Sequence, residues 1–449
     1  MVKITLPQGA SAILDVLQAH GFDAYVVGGC VRDSLLGMVP KDWDICTSAT
    51  PRQVEEVFAG HRILETGIQH GTVTILMDDG QYEVTTFRTD GIYSDFRRPD
   101  SVSFVKDVRD DLSRRDFTMN AMAYNQHGLL DLYGGAEDIR NTMVSCVGKA
   151  DDRFQEDALR MMRALRFAAV YGFSIERETA QAIHRNKSLL RHIAVERIRT
   201  ELCKLLLGHH ALPILLAYSD VLAVVIPEFS PCIGFDQNNR YHQYTVYDHI
   251  MYAVSRCKSD DLSVRLALFL HDIGKPLCYS EDENGGHFHG HAVPGHDIAK
   301  EVLGRLRFDN RTKNEVLELI LYHDSVIEPA EKAVRRWLGK IGEDRFRQLL
   351  FVREADILAH AEGTQASRLE RCSALRQILE KVLRDEQCFK LKDMSINGKD
   401  ILALGIQEGK QVGVILQFLL DRIIAGDLKN DREILLHEAA KMRHTPPQT

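Results

Sequence analysis

The period of the hydrophobic pattern changes once along this chain, near Asp151, and that change limits the fold more than any single motif. Before it, apolar and β-branched residues alternate with polar ones in Ala24–Val27, Thr72–Met77, Tyr82–Phe87 and Ala121–Tyr124. Successive strand side chains point to opposite faces, so such runs build a half-buried sheet. Turn sequences separate them, such as Asp78-Asp79-Gly80 and Tyr133-Gly134-Gly135, and helical patterns precede Gly21 and follow Gly29. After Asp151 the apolar residues recur at three- and four-residue spacing in Asp157–Val170, Arg197–Leu207, Val246–Arg256, Val264–Leu270, Asp297–Arg307 and Arg345–His360. That spacing predicts helices and nothing else. The expected fold class is α+β: an N-terminal α/β head followed by an all-α remainder. A chain of 449 residues exceeds one ordinary core. Weak patterning near Asn141–Lys149, Glu228–Asn239 and Glu362–Ser367 divides it into 1–140, 141–230, 231–361 and 362–449. The last residues, Thr445–Thr449, read as a disordered tail.

Composition narrows the class of function. No stretch approaches the roughly 18 uninterrupted apolar residues of a membrane helix, and the segment Leu212–Ile226 is broken by Ser219 and Asp220. The N-terminus carries no apolar signal core, so the expected compartment is the cytoplasm. Nine cysteines without a C-x-x-C pair argue against a zinc ribbon or a disulfide framework. A net charge of −8 disfavours coating nucleic acid by bulk charge. Local basic clusters remain: Arg88, Arg97, Arg98, Arg114 and Arg115; Arg153, Arg160, Arg163 and Arg166; Arg335, Arg336, Lys340, Arg345 and Arg347.

Chemistry enters at the end of the first strand. Ala24–Val27 runs into Gly28-Gly29 and then a helix start with Arg32 and Asp33. Glycines allow close backbone approach, and helix N–H groups point at an anion, so this is a candidate phosphate cradle. Twelve residues separate Gly29 from Asp42-Trp43-Asp44. Two aspartates at i and i+2 of a strand share a face. Their repulsion is relieved by divalent cations, for which magnesium is the expected ion.

Together, Gly28-Gly29-Cys30-Val31-Arg32-Asp33 and Asp42-Trp43-Asp44 resemble the active-site motif of polymerase-β-type nucleotidyltransferases. More narrowly, the chain resembles class II CCA-adding enzymes and their poly(A) polymerase relatives. The resemblance continues through Thr47–Pro51, Gly67–Thr72 and Glu83–Arg88, where Glu83 is the expected third catalytic carboxylate. Asp90, Tyr93, Asp95, Arg97, Arg98 and Pro99 resemble the family's flexible loop. Arg114–Ala121, with Arg115, Asp116 and Asn120, resembles the motif joining the catalytic and nucleotide-binding parts.

A second constellation lies in Glu156–Phe167, which reads as one helix with Asp157 and Arg160 on a shared face. The plain reading is an intrahelical ion pair. The chemical reading is a base reader: Asp accepts from an exocyclic amine and Arg donates to a ring acceptor, a pattern that cytosine and adenine share. The resemblance implies the second, with Arg163 and Arg166 holding triphosphate or RNA backbone. It also makes the helix with Arg197, Arg199, Glu201 and Lys204 a support for this region.

A third constellation, His271-Asp272-Ile273-Gly274-Lys275, follows an apolar helix and resembles the core of HD-type phosphohydrolases. His249 and Asp356 complete an expected ligand set for nickel, manganese, iron or zinc. His287, His289, His291, His296 and His323-Asp324 are further candidates for a second metal. A vestigial HD fold without metal is the alternative.

The resemblance thus implies a catalytic head, a helical neck that selects nucleotide, an HD body and a tail that grips tRNA. The expected activity is CCA addition to tRNA from CTP and ATP. Alternatives are a poly(A) polymerase, an enzyme adding only CC or only A, and an RNA-binding HD phosphohydrolase with an inert head. DNA and membranes are not expected partners, and the oligomeric state stays open.

Overall fold

The β-branched runs of the first 140 residues pair into one sheet. Its strands are β1 (Ala24–Val27), β2 (Ile45–Thr47), β3 (Arg62–Gly67), β4 (Thr72–Met77), β5 (Gly80–Thr86), β8 (Met122–Asn125) and β9 (Gly128–Asp131), with β6 (Arg88–Asp90) and β7 (Val102–Phe104) forming a separate ladder. The sheet order is β3-β4-β5-β2-β1-β8-β9. β1 runs antiparallel to β2 and β8, while β2 and β5 are parallel with Ile45 opposite Val84. The central β2 is wholly buried, as its sequence Ile-Cys-Thr allows. One apolar cluster joins Val27, Cys46, Phe87, Val108, Leu112 and Ala123. This computed structural model describes residues 3–68, 71–91, 102–283, 285–384, 391–406 and 409–442. Gln69, His70, Tyr93, Asp95, Arg97, Arg98, Pro99 and the tail 445–449 lie outside them.

The chain forms two compact units, Met1–Ser230 with Arg305–Arg307, and Pro231–Gly304 with Phe308–Thr449. In the first, the sheet is followed by helices Ala150–Glu156, Leu159–Tyr171, Arg177–Asn186 and Val195–Leu206. In the second, helix Leu262–Leu270 is central, with every residue from Ser263 to Leu270 buried. Helices Val246–Arg256, Asn310–Tyr322 and Glu331–Leu358 pack around it. The residues near the C-terminus have a core of their own, including Ile401, Ile415, Leu419 and Leu435. No described helix is long and apolar enough to cross a membrane.

Three expectations are corrected. The remainder after Asp151 is not purely helical: β10 (Met143–Val144) pairs with β11 (Ser174–Ile175), and β12 (Ser280–Asp282) with β13 (Gly285–His287). Asp42 and Asp44 are not inside a strand, because β2 begins at Ile45. Backbone pairing does reach them, since the Asp44 carbonyl accepts from Val27 N at 2.9 Å, so both carboxylates stand at the open end of the sheet. Finally, Glu156–Phe167 is not one helix. Asp157 is extended (φ −137°, ψ 102°) and a new helix starts at Leu159. The Asp157 carboxylate accepts from Leu159 N at 3.1 Å, a local bond that competes with helix continuation.

Candidate active site and metal centre

β1 delivers Gly28 with φ +79°, which only glycine adopts without strain. A Cβ there would also lie 2.9 Å from Arg115 Nη1. On the next strand, the parallel register explains a carboxylate cluster. Ile45 lies opposite Val84, so Asp44 and Glu83, each one residue earlier, are neighbours on one face. The Asp44 carboxyl is raised above the ordinary range, first by desolvation, then by Glu83 and Asp42, against Arg115. Asp44 lies within the field of Glu83 and Asp42 at the end of the central strands, although these three are not gathered within 4.8 Å as the ligands of the second unit are; such oxygen donors suit a hard divalent cation such as magnesium.

Arg115 is steered by Asp111, which was not foreseen in the sequence. Asp111 is buried and accepts from Arg114 Nη2 at 2.6 Å and Arg115 Nη2 at 3.1 Å. The visible signal was its i, i+3 and i, i+4 spacing to those arginines. Arg32 is buried too, donating to Asp33 Oδ1 (2.9 Å) and Asn120 Oδ1 (2.6 Å). Asn120 passes its amide to Asp116 Oδ1 at 3.0 Å, and Arg163 pairs with Asp116 Oδ2 at 2.6 Å. Burial alone would raise the Asp116 pKa, but Arg163 and Asn120 prevail and pull it down to about 2.

Asp157 and Arg160 do not pair with each other. Arg197 Nη2 reaches Asp157 Oδ2 at 2.7 Å. Arg160 Nη1 meets Glu156 Oε2 at 2.6 Å and its Nη2 donates to the Arg114 carbonyl at 3.0 Å. The plain reading of an intrahelical Asp157–Arg160 pair is therefore replaced by two separate clamps. Arg166 pairs with the buried Glu201 at 2.7 Å.

In the second unit, His249, His271, Asp272 and Asp356 bring ligand atoms within 4.8 Å of one another, and Asp272, His291 and His323 do likewise. Among the described residues these are the two such groups, and Asp272 belongs to both. His249 Nε2 lies 3.0 Å from Asp356 Oδ1, His271 Nε2 3.2 Å from Asp272 Oδ2, and His291 Nε2 3.1 Å from Asp272 Oδ1. The Nδ1 of each histidine faces a backbone carbonyl: Ala359 for His249, Leu268 for His271, Phe288 for His291 and Ile320 for His323. A carbonyl only accepts, so each Nδ1 carries a proton and each Nε2 is turned inward toward the carboxylates, where it shares a proton with them or gives that proton up to a metal. His271 Nε2 is buried with no hydrogen-bond partner of good geometry. Burial disfavours a charged His271, yet Asp272 and Asp356 push its pKa up to about 10, and burial notwithstanding His271 and Lys275 hold Asp272 well below the carboxylate range. Such a mutually compensated anion–imidazole cluster fits divalent metal. His287 and His296 instead face Asp282 and Asp297. The signal that singles out His291 and His323 is a ring reaching back to the carbonyl three residues earlier.

The polymerase-like head with its carboxylates and the buried His/Asp cluster define a nucleotidyltransferase joined to an HD domain. Residues 24–145 match the Poly A polymerase head domain, 172–233 the probable RNA and SrmB-binding site of polymerase A, and 240–361 the HD domain. The CCA-adding enzyme of Lactobacillus delbrueckii subsp. bulgaricus is 51% identical over 223 residues, covering 49% of this chain and 55% of the relative. In that case the chain spans little more than half the length of the relative it matches. The CCA-adding enzyme of Leuconostoc mesenteroides is 35% identical over 447 residues, covering 97% of both chains. The crystal structure of Bacillus stearothermophilus CCA-adding enzyme in complex with CTP has a TM-score of 0.76 at 29% identity, covering 98% of this chain and 99% of that one. The chain belongs to the family of CCA-adding enzymes.

Proposed function

We propose that this protein restores the 3′ end of tRNA by adding C, C and A from CTP and ATP without a nucleic-acid template. The observation that carries it is the parallel register setting Asp44 beside Glu83, next to the Gly28-Gly29 turn. Asp42 and Asp44 would hold magnesium, and Glu83 joins them. Held there, magnesium would supply the charge that lowers the pKa of the attacking 3′-hydroxyl and balances the leaving pyrophosphate. The chain's own groups do the rest. The Gly28-Gly29 turn lets backbone N–H groups approach the triphosphate. Arg32 and Asp33 orient ribose or phosphate, and Arg115 places positive charge beside the carboxylates. Asp116 and Asn120 tie the head to the neck helix. Asp157 and Arg160 read the base edge, while Arg163 and Arg166 meet phosphate. Residues 1–140 then act as head, 141–230 as neck, 231–361 as HD body and 362–449 as the tRNA-gripping tail, in the cytoplasm.

The test offers the protein tRNA lacking CCA, tRNA ending in CC, or an unrelated RNA, with CTP, ATP or both, and sequences the products. Ordered CCA addition to tRNA alone supports the reading. Long adenosine tails on any RNA would make it a poly(A) polymerase, and extension of tRNA-CC alone an A-adding enzyme.

A second reading concerns the HD unit. It acts as a metal-dependent phosphohydrolase on 2′,3′-cyclic nucleotides or a tRNA 3′-phosphate. The sharing of Asp272 between two ligand groups favours it. His249, His271, Asp272 and Asp356 would hold one metal, and Asp272, His291 and His323 a second, drawn from nickel, manganese, iron or zinc.

A further inference from the structure

Helix Leu159–Tyr171 meets the head near its start, where Arg160 Nη2 donates to the Arg114 carbonyl at 3.0 Å, and at two hydrogen-bonded points further along. At one, Arg163 Nε donates to Asp116 Oδ2 at 2.8 Å, and Asp116 Oδ1 receives the Asn120 amide. At the other, the Tyr171 hydroxyl donates to Asp33 Oδ1 at 3.1 Å. That same oxygen receives Arg32 Nε at 2.9 Å and Arg32 Nη2 at 2.8 Å. Arg32 then closes the circuit by donating Nη1 to Asn120 Oδ1 at 2.6 Å. The hydrogen bonds therefore form a ring that leaves the helix at Tyr171, crosses the phosphate cradle, and returns at Arg163. Aromatic contact reinforces the Tyr171 end. The Phe167 and Tyr171 rings are nearly parallel, 6.0 Å apart with 14° between their planes. Arg32 Cζ lies 5.0 Å from each ring centroid. Phe167 and Tyr171 are i and i+4, so one helix face offers a two-ring ledge to the Arg32 guanidinium.

We propose that Tyr171 is a positioning residue: with Phe167 it seats Arg32, and so fixes the cradle against the helix whose other end carries the base-reading residues. The inference rests on the nucleotidyl-transfer reading above. Arg163 and Tyr171 are eight residues apart, about 12 Å along a helix axis. Two anchors at that separation set both tilt and slide. With the Tyr171 contact removed, Arg160–Arg114 and Arg163–Asp116 still hold the start of the helix while its far end is freed, so Arg32 and Asp33 of the cradle shift relative to Asp157 and Arg160. A misplacement of about 1 Å costs on the order of 100-fold in rate. Tyr171 acts through Asp33 and Arg32, so its loss should fall on rate more than on affinity.

Tyr171 is only half-buried, which makes its variants safer to fold than those of the buried Phe167. Tyr171→Leu and Tyr171→Phe are compared with wild type for kcat and KM of CMP transfer, for UTP incorporation relative to CTP, and for thermal unfolding by circular dichroism. Tyr171→Leu should lower kcat by about 10- to 100-fold with the CTP KM held within about threefold, and should raise relative UTP incorporation about tenfold. Tyr171→Phe, which keeps the ring against Arg32 but loses the hydroxyl bond to Asp33, should fall between Tyr171→Leu and wild type in kcat. A Tyr171→Leu protein with wild-type kcat and UTP discrimination overturns the proposal. So does a loss of activity that merely follows a loss of folded protein, or a Phe variant no better than Leu. Wild-type protein that transfers neither CMP nor AMP overturns the functional reading itself, whereas an active wild type beside an indifferent Tyr171→Leu overturns the positioning role alone.

Discussion

Asp44 and Asp116 are two carboxylates of the same unit with opposite relations to stability. The Asp44 pKa is raised, chiefly by burial and then by Glu83 and Asp42. A raised carboxylate pKa means the folded protein binds a proton more readily than the unfolded chain, so stability falls as pH rises from the unfolded value through the folded one and stays lower above it. Asp44→Asn should therefore raise the unfolding temperature in metal-free buffer at neutral pH, while CMP and AMP transfer fall by on the order of 100-fold or more. Calorimetry with chelator and a primer-extension assay measure the two effects, and undiminished transfer would remove Asp44 from the metal set. Asp116 behaves the other way. Its pKa is pulled from 3.8 to about 2, against burial, by Arg163 and Asn120. That stabilisation is present above the unfolded value and is lost as pH falls from about 4 toward 2. Because the pair is largely buried, Asp116→Ala leaves Arg163 uncompensated and should cost about 3 kcal/mol, measured by urea unfolding at neutral pH. The same variant loosens the Arg163 anchor, so stability and rate should fall together there, unlike at Tyr171.

At the scale of elements, the break between Glu156 and Leu159 changes how Asp157 and Arg160, the proposed base reader, are presented. Asp157 and Arg160 are presented from a turn and a new helix start, each clamped by its own partner, Arg197 for Asp157 and Glu156 for Arg160. Both side chains are pre-oriented, so little rotamer entropy remains to be lost on meeting a base. Asp157→Ala or Arg160→Ala should each weaken discrimination of CTP and ATP against UTP and GTP by about 1–3 kcal/mol, measured in competition assays with paired nucleotides. Unchanged preference in both would make the clamps purely structural. This break was not legible in the sequence, because Asp157 supplies a side-chain acceptor to its own backbone while the apolar spacing runs on across it. What was legible had strong periodicity. Ala24–Val27, Thr72–Met77 and Val246–Arg256 appear with the bounds their patterns predict. The two- and three-residue strands β10 to β13 are too short to carry a period. The candidate site divides similarly. Adjacent ligands such as His271 and Asp272 announce themselves, and Asp42 and Asp44 stand together at the sheet end. Asp111 acts through the neighbouring Arg114 and Arg115 without belonging to a recognisable motif, and Tyr171 acts through Asp33, 138 positions away, which only the fold brings near.

For the whole molecule, the two units carry metal-binding chemistry of different kinds. The head offers carboxylate oxygens at the open end of its sheet, suited to a hard ion. The second unit offers buried imidazoles with fixed tautomers around Asp272, suited to a transition metal that stays bound. Helix Leu262–Leu270 is buried along its length, so His271 and Asp272 are delivered to the centre by core packing and not by a loop. The two activities should therefore separate on mutation. A His271→Ala/Asp272→Ala protein removes the shared carboxylate and one imidazole together, which avoids stranding either as a lone buried partner of the other. It should add CCA to tRNA at the wild-type rate. It should lose hydrolysis of 2′,3′-cyclic nucleotides and of a tRNA 3′-phosphate by on the order of 100-fold or more. Elemental analysis of dialysed wild type should find nickel, manganese, iron or zinc, and the double variant should lack it. Chelation followed by readdition of nickel or manganese should remove and restore hydrolysis, leaving magnesium-dependent CCA addition untouched once magnesium is resupplied. Wild type that holds no such metal, and hydrolyses none of these substrates when nickel or manganese is added, would make the second unit a scaffold.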